Sequence, residues 1–503
     1  MLIPALVLVE IFCMCTAAFF LFRRDGNPFA ESASYAIISV FMGLSFLHQV
    51  SFITGYSIIS TWGETFFFMV SLILIFRHRS CIFSIVDTLK SIGSANPISF
   101  IFLGGCFLYM IIHTFLPIPK EFQKDLYTIS LYTKTGFFSL GKAAEFPGFV
   151  PVNHLVLFHT FLRFGSGAGT GVFSFLAYLS IGFSTYALAR RYSWPPTAFT
   201  TAILVLSLPR LVIQALYPDC EIISVAVALF CLLAIYRTVE LPTLMDSIFL
   251  ILGLFFCLSD NISSMIFAPI LFVLSGVVLF RRHGVLPWKS MLGKNYYAIF
   301  TIVPGAVFSQ SWLFLSNHFN KGSWQGNMVT LPFNTHGIQG AVANFIRYIF
   351  ESMNVTAPVA IFLERGLKWN IAQPLESLYN FLVRPFLGES GAAQIFHLTG
   401  MPKEISSFGP VGFFLVFPAL FYAMLKGPRR LKSVAIVFFV YFYLVSLIMA
   451  WTPDNARFFL FFYVCAGFSI AFFLPPWRFM KRTKQIFQAI GCVLLLLSLL
   501  TAV

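Results

Sequence analysis

Charge is what this sequence has least of. Asp and Glu number 19 and Lys and Arg 33 among 503 residues, so only 10% of the chain is charged, against roughly 25% in a soluble globular domain. With 58% hydrophobic residues and a mean hydropathy of +0.85, the chain has too little polar surface to cover itself in water. That excludes a soluble enzyme or soluble binding module. Cysteines are few, nine in all. Those at Cys13, Cys15, Cys106, Cys231, Cys257, Cys465 and Cys492 lie inside apolar runs, and no CxxC pair or Cys/His ligand spacing occurs. They read as small buried apolar residues; neither a disulfide framework nor a metal site is expected. No Gly/Ser linker or low-complexity tract marks off a separate soluble domain, and no internal repeat supports an inverted-repeat transporter. No basic stretch precedes the apolar run that begins at Leu2, so a true helix rather than a cleaved signal peptide is expected there. The formal charge of +14 would suit nucleic acid, but the basic residues sit in short clusters between apolar runs. That is the pattern that orients membrane helices, and no nucleic-acid partner is expected.

What the sequence does have is long apolar runs. A spanning helix needs about 20 mainly apolar residues, and about 14 runs meet that criterion. They start near Leu2, Ser34, Ser57, Ile98, Ala168, Thr197, Asp219, Thr243, Asn261, Ala298, Pro410, Lys432, Arg457 and Gln485. A backbone in lipid must satisfy its own hydrogen bonds, and a barrel would show weak alternation instead of these runs. The expected fold is therefore an all-α polytopic membrane protein. Basic clusters follow the odd-numbered runs: Arg23 and Arg24, Arg77 and Arg79, Arg190 and Arg191, Arg237, Arg281 and Arg282, then Lys426, Arg429, Arg430 and Lys432, and finally Arg478, Lys481, Arg482 and Lys484. Because Lys and Arg are retained on the cytoplasmic side, every odd span is expected to end inside and both termini to lie outside. A bacterial inner membrane is the expected setting.

This topology places two long segments on the non-cytoplasmic face, residues 117–167 and 317–408. Loops longer than about 12–15 residues usually carry function or structure of their own. Amphipathic stretches at His154 to Phe164 and Ala341 to Met353 lead to the expectation of helices lying along the membrane surface. The chain divides on this reading into a three-helix N-terminal segment (1–97), a central module (98–474) and a basic loop with the last helix (475–503).

With so few acids, their placement is informative. Asp125 lies early in the first long loop, Asp219 and Glu221 open the seventh run in Tyr-Pro-Asp-Cys-Glu, Asp260 sits at the turn before the ninth, and Asp454 and Arg457 precede the thirteenth. All fall on one face of the membrane. A carboxylate there can serve as a general base toward a hydroxyl or amine, and an arginine can grip a phosphate with paired donors. Plain structural roles compete: Asp219 and Glu221 suit the positive end of a helix dipole, and Asp260 and Asp454 suit helix caps. Arg457 at a helix start opposes the dipole, and Arg210, just after Pro209 within the sixth run, lies about two turns from its outer end. A charge at that depth faces a cavity or partner, or snorkels to the headgroups. Glu10, His48 and Glu64 lie within early spans and are expected to pair with one another. His154 and His159 are five apart, a poor one-face pair for a metal. Gly165, Gly167, Gly169 and Gly171 alternate without the Lys-Ser/Thr of a phosphate loop and suit a flexible entry to the fifth span with close packing. Asn261-Ile-Ser and Asn354-Val-Thr fit glycosylation sequons.

The layout from Ile98 to Leu474 resembles the GT-C superfamily of membrane glycosyltransferases. Three features carry the resemblance: Lys124-Asp125-Leu126-Tyr127 in a long outer loop after a helix, the acids Asp219 and Glu221 opening a later helix, and the turn Trp451-Thr-Pro-Asp-Asn-Ala-Arg457-Phe458 before an apolar helix. Many bacterial members carry Tyr-His shortly after the loop Asp, where this chain has Asp125-Leu-Tyr-Thr. The resemblance implies transfer of a sugar from a polyprenyl-phosphate carrier to a glycan, lipid or protein acceptor, with inversion at C1. Asp125 would orient or deprotonate the acceptor, with Asp219 and Glu221 as further catalytic candidates. Arg457 and Arg210 would hold the lipid phosphate, and Asp260, Asp454 and His154 are secondary candidates. Some relatives use a divalent cation and others none, so the cofactor stays open. A lipid or solute transporter, and a non-catalytic assembly partner, fit the same topology.

Overall fold

The computed structural model describes residues 2–24, 26–79, 85–87, 90, 96–118, 126–132, 151, 153–165, 167–241, 243–260, 262–283, 295–324, 333–354, 372–386, 396, 408–474 and 481–501. Apart from turns and one isolated bridge between Phe333 and Met449, these residues are helical. The first ten helices are α1 (Leu2–Arg24), α2 (Phe29–Thr54), α3 (Ser57–Arg77), α4 (Pro97–His113), α5 (Val172–Ala189), α6 (Pro195–Leu206), α7 (Pro209–Leu216), α8 (Cys220–Glu240), α9 (Leu244–Leu258) and α10 (Ile262–His283). They continue as α11 (Asn295–Phe308), α12 (Ser311–Lys321), α13 (Gly337–Ser352), α14 (Ala372–Leu382), α15 (Gly409–Lys426), α16 (Arg429–Ile448), α17 (Arg457–Phe473) and α18 (Lys481–Thr501). Among the described residues nine helices are long and apolar enough to cross a membrane, or ten if α6 and α7 form one bent span; α4, α9 and α17 are shorter apolar helices. The protein is thus a multi-pass, all-helical membrane protein.

The sixth run, expected as one helix, is two. α6 and α7 are bent by 69° across Ser207 and Leu208. Pro209 has no N–H to donate and its ring disfavours helical backbone just before it, so the ladder stops there and restarts with Pro209 in its first turn. Arg210 consequently sits at the start of α7 and not in the middle of a continuous helix.

The chain forms two compact units. Unit one comprises Met1–Ser184 with Ala215–Val329, and unit two Thr185–Gln214 with Thr330–Val503. Within unit one, α2 packs against α8, α9 and α11. α8 is the axis of that unit: every residue from Glu221 to Tyr236 is buried, as a helix apolar on all sides requires. α1, α2 and α3 pack together, with a turn of only two residues, Gly55 and Tyr56, between α2 and α3. Gly55 has φ +74°, a conformation open to glycine at little cost.

At the opposite end of α8 from Asp219, Arg237 joins three helices. Its Nε donates to Asp246 Oδ1 (2.9 Å), its Nη1 contacts Glu31 Oε2, and its Nη2 donates to Asn27 Oδ1 (2.8 Å). The guanidinium lies over the Tyr35 ring (5.0 Å), whose hydroxyl also donates to Asp246 (2.7 Å). Thr243 caps α9 by accepting from Asp246 N (3.1 Å), as an N-cap threonine should.

In unit two, α13 packs on α16 with its polar side inward. Arg347 is 1% exposed; its Nε donates to Tyr379 Oη (3.0 Å) and its Nη1 to Asn344 Oδ1 (3.2 Å). Asn344 in turn donates to Met449 O (3.0 Å), and Trp451 Nε1 donates to Glu351 (3.3 Å). Ile338 and Val342 on the same helix are exposed. α6 meets α18 through Gln488 Nε2 donating to Thr200 Oγ1 (3.0 Å).

Candidate functional site

The end of α8 that starts after Asp219 gathers most of the described candidate acids. Pro218 precedes Asp219, whose extended backbone makes it the N-cap; its carboxylate accepts from Glu221 N (2.7 Å). Asp219 thus caps the helix start where the sequence placed an acid for the positive dipole end. Its own N–H donates to Ser174 Oγ of α5 (3.0 Å). Glu221, in the first turn, is buried. One turn further, on the same side of the helix, Ser224 donates to Asp260 Oδ2. The other carboxylate oxygen, Oδ1, accepts from the backbone N–H of His154 (3.1 Å) and contacts His154 Nδ1. Asp260 is 1% exposed and His154 3%. Asp260 was expected as a cap of the following helix; instead it holds the long loop onto α8, because three donors from elsewhere in the fold converge on it.

Asn153 locks the same point. Its Nδ2 donates to Phe256 O (2.9 Å) and Phe308 O (2.8 Å), its Oδ1 accepts from Gln49 Nε2 (2.7 Å), and its backbone oxygen accepts from Ser45 Oγ (2.7 Å). The dipeptide Asn153-His154 is thus plugged among the ends of α2, α8, α9 and α11. The stretch that follows, expected along the membrane surface, is buried instead: Leu155, Val156, Leu157, Phe158 and Phe161 are all core residues, in two short turns, Leu155–Phe158 and His159–Leu162. Its apolar side is covered by protein rather than lipid. The glycines after it permit this. Gly169 has φ +92° and a side chain there would run into the Phe161 ring, and a side chain on Gly171 would meet Leu216 O at 3.4 Å. The close packing expected of the Gly-rich entry is observed.

Chemically, Asp260 engages Nδ1 of His154 and so fixes the orientation of its ring, and Glu221 stands one turn from Ser224 on α8. A small cleft lined by His113, Pro117, Gly171, Leu216, Tyr217 and Pro218 opens beside Asp219, with His113 Nδ1 3.2 Å from Leu216 O. Asp125 falls outside the described residues, and so does the side chain of Asp454, whose backbone lies in the turn Pro453–Phe459. Arg210 and Arg457 belong to unit two; Arg457 stacks over Phe458 at 5.2 Å.

A second polar cluster lies among α1, α2 and α3. His48 Nε2 is 3.2 Å from Glu64 Oε1, the pairing expected of early-span residues. Arg163 contacts Glu64 and stands 4.0 Å from Glu10; neither Arg163 nor the approach of His159 was anticipated. A signal was available: Arg163 is the one Lys or Arg between Lys142 and Arg190, and the arginines of the spans bearing Glu10 and Glu64 sit at the far ends, at Arg23, Arg24 and Arg77. His159, in the loop segment, is held neutral: burial, then the nearby Arg163 charge, push its imidazole down to about 4. A histidine lowered from its ordinary value binds fewer protons folded than unfolded, so stability present above about pH 6.5 is lost as pH falls toward 4. Discounted for a ring only partly buried, the loss is about 2 kcal/mol. Unfolding midpoints followed from pH 7 to 4 should fall more steeply in the wild type than in His159→Gln; parallel curves would contradict it.

Among the described residues no group of three or more His, Cys, Asp or Glu side chains is placed to hold a metal ion. Comparison with protein-family models, with characterised proteins and with solved structures returns no match, so a functional reading rests on the residues themselves.

Proposed function

We propose that the chain is a polytopic membrane glycosyltransferase that moves a sugar from a polyprenyl-phosphate carrier to an acceptor on the non-cytoplasmic face. In this reading an apolar helix crosses the bilayer at each of the fourteen expected runs, the odd ones ending in cytoplasm, and the end of α8 bearing Asp219 faces outward. The observation that carries it is the fastening of the long loop to that end by His154, Asp260 and Ser224, with Glu221 one turn away. In a chain with 19 acids, such a gathering at one helix end suits activation of an acceptor hydroxyl at a membrane surface. Carboxylates do that work when held within hydrogen-bond reach of the proton they take. The acceptor oxygen attacks the sugar C1, the bond from C1 to the phosphate oxygen breaks, and the lipid phosphate departs with its charge met by an arginine. Asp125 is the candidate base in the same loop, and Arg457 and Arg210 the candidates for the phosphate.

Binding of radiolabelled polyprenyl phosphate to purified protein tests this. Loss of a charge-assisted phosphate contact is worth about 1.5–3 kcal/mol, so Arg457→Ala should weaken binding roughly 10- to 100-fold while Asp125→Asn binds as the wild type and loses transfer. A folded wild type that binds no polyprenyl phosphate would defeat the proposal. It would favour a second reading, transport, which the bent pair α6–α7 and the buried ionisable cluster of α1–α3 support, since transporters use interrupted helices and buried ionisable groups. Flux in liposomes that depends on a counter-ion would identify it.

A further inference from the structure

Five ionisable side chains meet inside the N-terminal bundle, and their charges do not balance. Glu10 comes from α1, His48 from α2, Glu64 from α3, and His159 and Arg163 from the loop segment that follows His154. Glu64 is 0% exposed and His48 1%. The contacts are Arg163 to Glu64, Arg163 Nη2 to Glu10 Oε2 at 4.0 Å, and His48 Nε2 to Glu64 Oε1 at 3.2 Å. His48 is held from both sides, its Nδ1 2.9 Å from Ser60 Oγ and its Nε2 3.0 Å from Thr160 Oγ1, and the His48 and His159 rings meet edge to face at 5.2 Å. Counting along the helices at 1.5 Å per residue, Glu64 lies about 10 Å inside the start of α3 and His48 about as far inside the end of α2, so the cluster is away from the helix ends. Cys13, one turn from Glu10 on α1, is the remaining titratable neighbour.

With both histidines neutral and both glutamates ionised, one arginine faces two carboxylates and the cluster carries a net negative charge among apolar helices. That is expensive in a bilayer and is relieved when the group neutralises. A second observation points the same way. Arg163 and His48 meet the two Glu64 oxygens as ion contacts, and Nδ1 of His159 and Nε and Nη1 of Arg163 are buried in the same place without a hydrogen-bond partner among the described residues. Unspent polar atoms around a carboxylate pair leave it open to a proton.

We propose that Glu10 and Glu64, with Arg163 between them and His48 and His159 around them, form a proton-binding site that holds one proton at neutral pH. The proton is bound as an O–H on one of the two carboxyls, leaving the other ionised against Arg163, and release returns it to the solvent. Arg163 and His154 stand nine residues apart on one segment, so this site anchors the far end of the segment that His154 fastens to α8. The inference does not depend on the transferase reading, and its test requires no substrate.

The test is infrared difference spectroscopy of the full-length protein in lipid nanodiscs, between neutral and strongly alkaline buffer, read at the carbonyl stretch of protonated carboxylic acid. The wild type should lose one such oscillator per molecule on alkalinisation. Glu10→Gln, a change at the partly exposed rim of the cluster, and Glu64→Gln should each abolish that loss. Arg163→Gln should give the opposite result, adding a protonated carboxyl at neutral pH because no cation remains to hold the second carboxylate. A dye-detected count of protons released, one more from wild type than from Glu10→Gln, provides a reading if Glu64→Gln fails to fold. Identical spectra and proton counts for wild type and Glu10→Gln would overturn the proposal.

Discussion

Arg237→Ala should lower the stability of unit one by about 3–5 kcal/mol, the cost of breaking a buried ion pair by removing one partner. The reason is what the arginine leaves behind. Glu31 and Asp246 are both buried, and Arg237 reaches them on different nitrogens while a third donates to Asn27 and the guanidinium plane covers Tyr35. A planar fork with several fixed donors can satisfy this arrangement, and the point charge of a lysine can face only one carboxylate well. Arg237→Lys should therefore fall between wild type and Arg237→Ala. Asp246 would still accept from Tyr35 (2.7 Å) and Thr243 (2.6 Å), which keeps the loss at that end of the arginine small. Thermal unfolding in detergent, followed by far-ultraviolet circular dichroism, reads the order of the three proteins. Equal midpoints for Arg237→Ala and wild type would sink the argument. Arg237 also follows the seventh run, where it reads as a cytoplasmic marker. If orientation were its main contribution, the alanine variant would fold with normal stability and show altered accessibility of its loops.

That double life of Arg237 shows where a sequence speaks and where it stops. Helix positions were legible because spanning runs are long and nearly uncharged: the expected starts at Leu2, Ser57, Ile98, Thr243 and Pro410 meet observed helices beginning at Leu2, Ser57, Pro97, Leu244 and Gly409. The break in the sixth run was half legible. Pro209 announces a weak ladder, but the 69° bend depends on how α6 and α7 pack. The His154 to Phe164 stretch shows a different limit. Amphipathic periodicity says that one side is covered and not what covers it, and here the cover is the protein core. Caps are contacts with residues two or three positions on, and at Asp219 the sequence showed an acid at a helix start without naming it as one. They were misread at Asp260, whose partners His154 and Ser224 lie 106 and 36 positions away. Of the candidate site the sequence offered a list of acids; the assembly of Asp260 with His154 and Ser224 required those long-range contacts. Arg163 escaped because only charge counting against Glu10 and Glu64 would have singled it out.

The same long-range contacts make Asp260→Ala the sharpest test of the candidate site. Asp260 Oδ1 accepts from His154 N at 3.1 Å and contacts its ring, while Oδ2 accepts from Ser224. Alanine leaves three buried donors unmet, each costing about 1–3 kcal/mol, and Ser224 recovers part because its oxygen also lies 3.0 Å from Cys220 O. A net loss of about 3–5 kcal/mol follows, the range for a broken buried charged contact. Asp260→Asn keeps the shape and one acceptor oxygen but sets an amide N–H against a donor, and should cost about half as much. Loss of stability should be accompanied by loosening of the loop, since that end would then be held through Asn153, by its bonds to Phe256 O, Phe308 O, Gln49 and Ser45. Limited proteolysis between residues 117 and 167 should speed up in the order wild type, Asn, Ala. Polyprenyl-phosphate binding, proposed for Arg457 and Arg210, should survive in Asp260→Asn while transfer falls, because binding the carrier and positioning the acceptor are separate tasks. If the asparagine variant transfers sugar at the wild-type rate although its loop is loosened, Asp260 and His154 are a structural clasp and the acceptor base lies elsewhere in the loop, with Asp125 first to be tried.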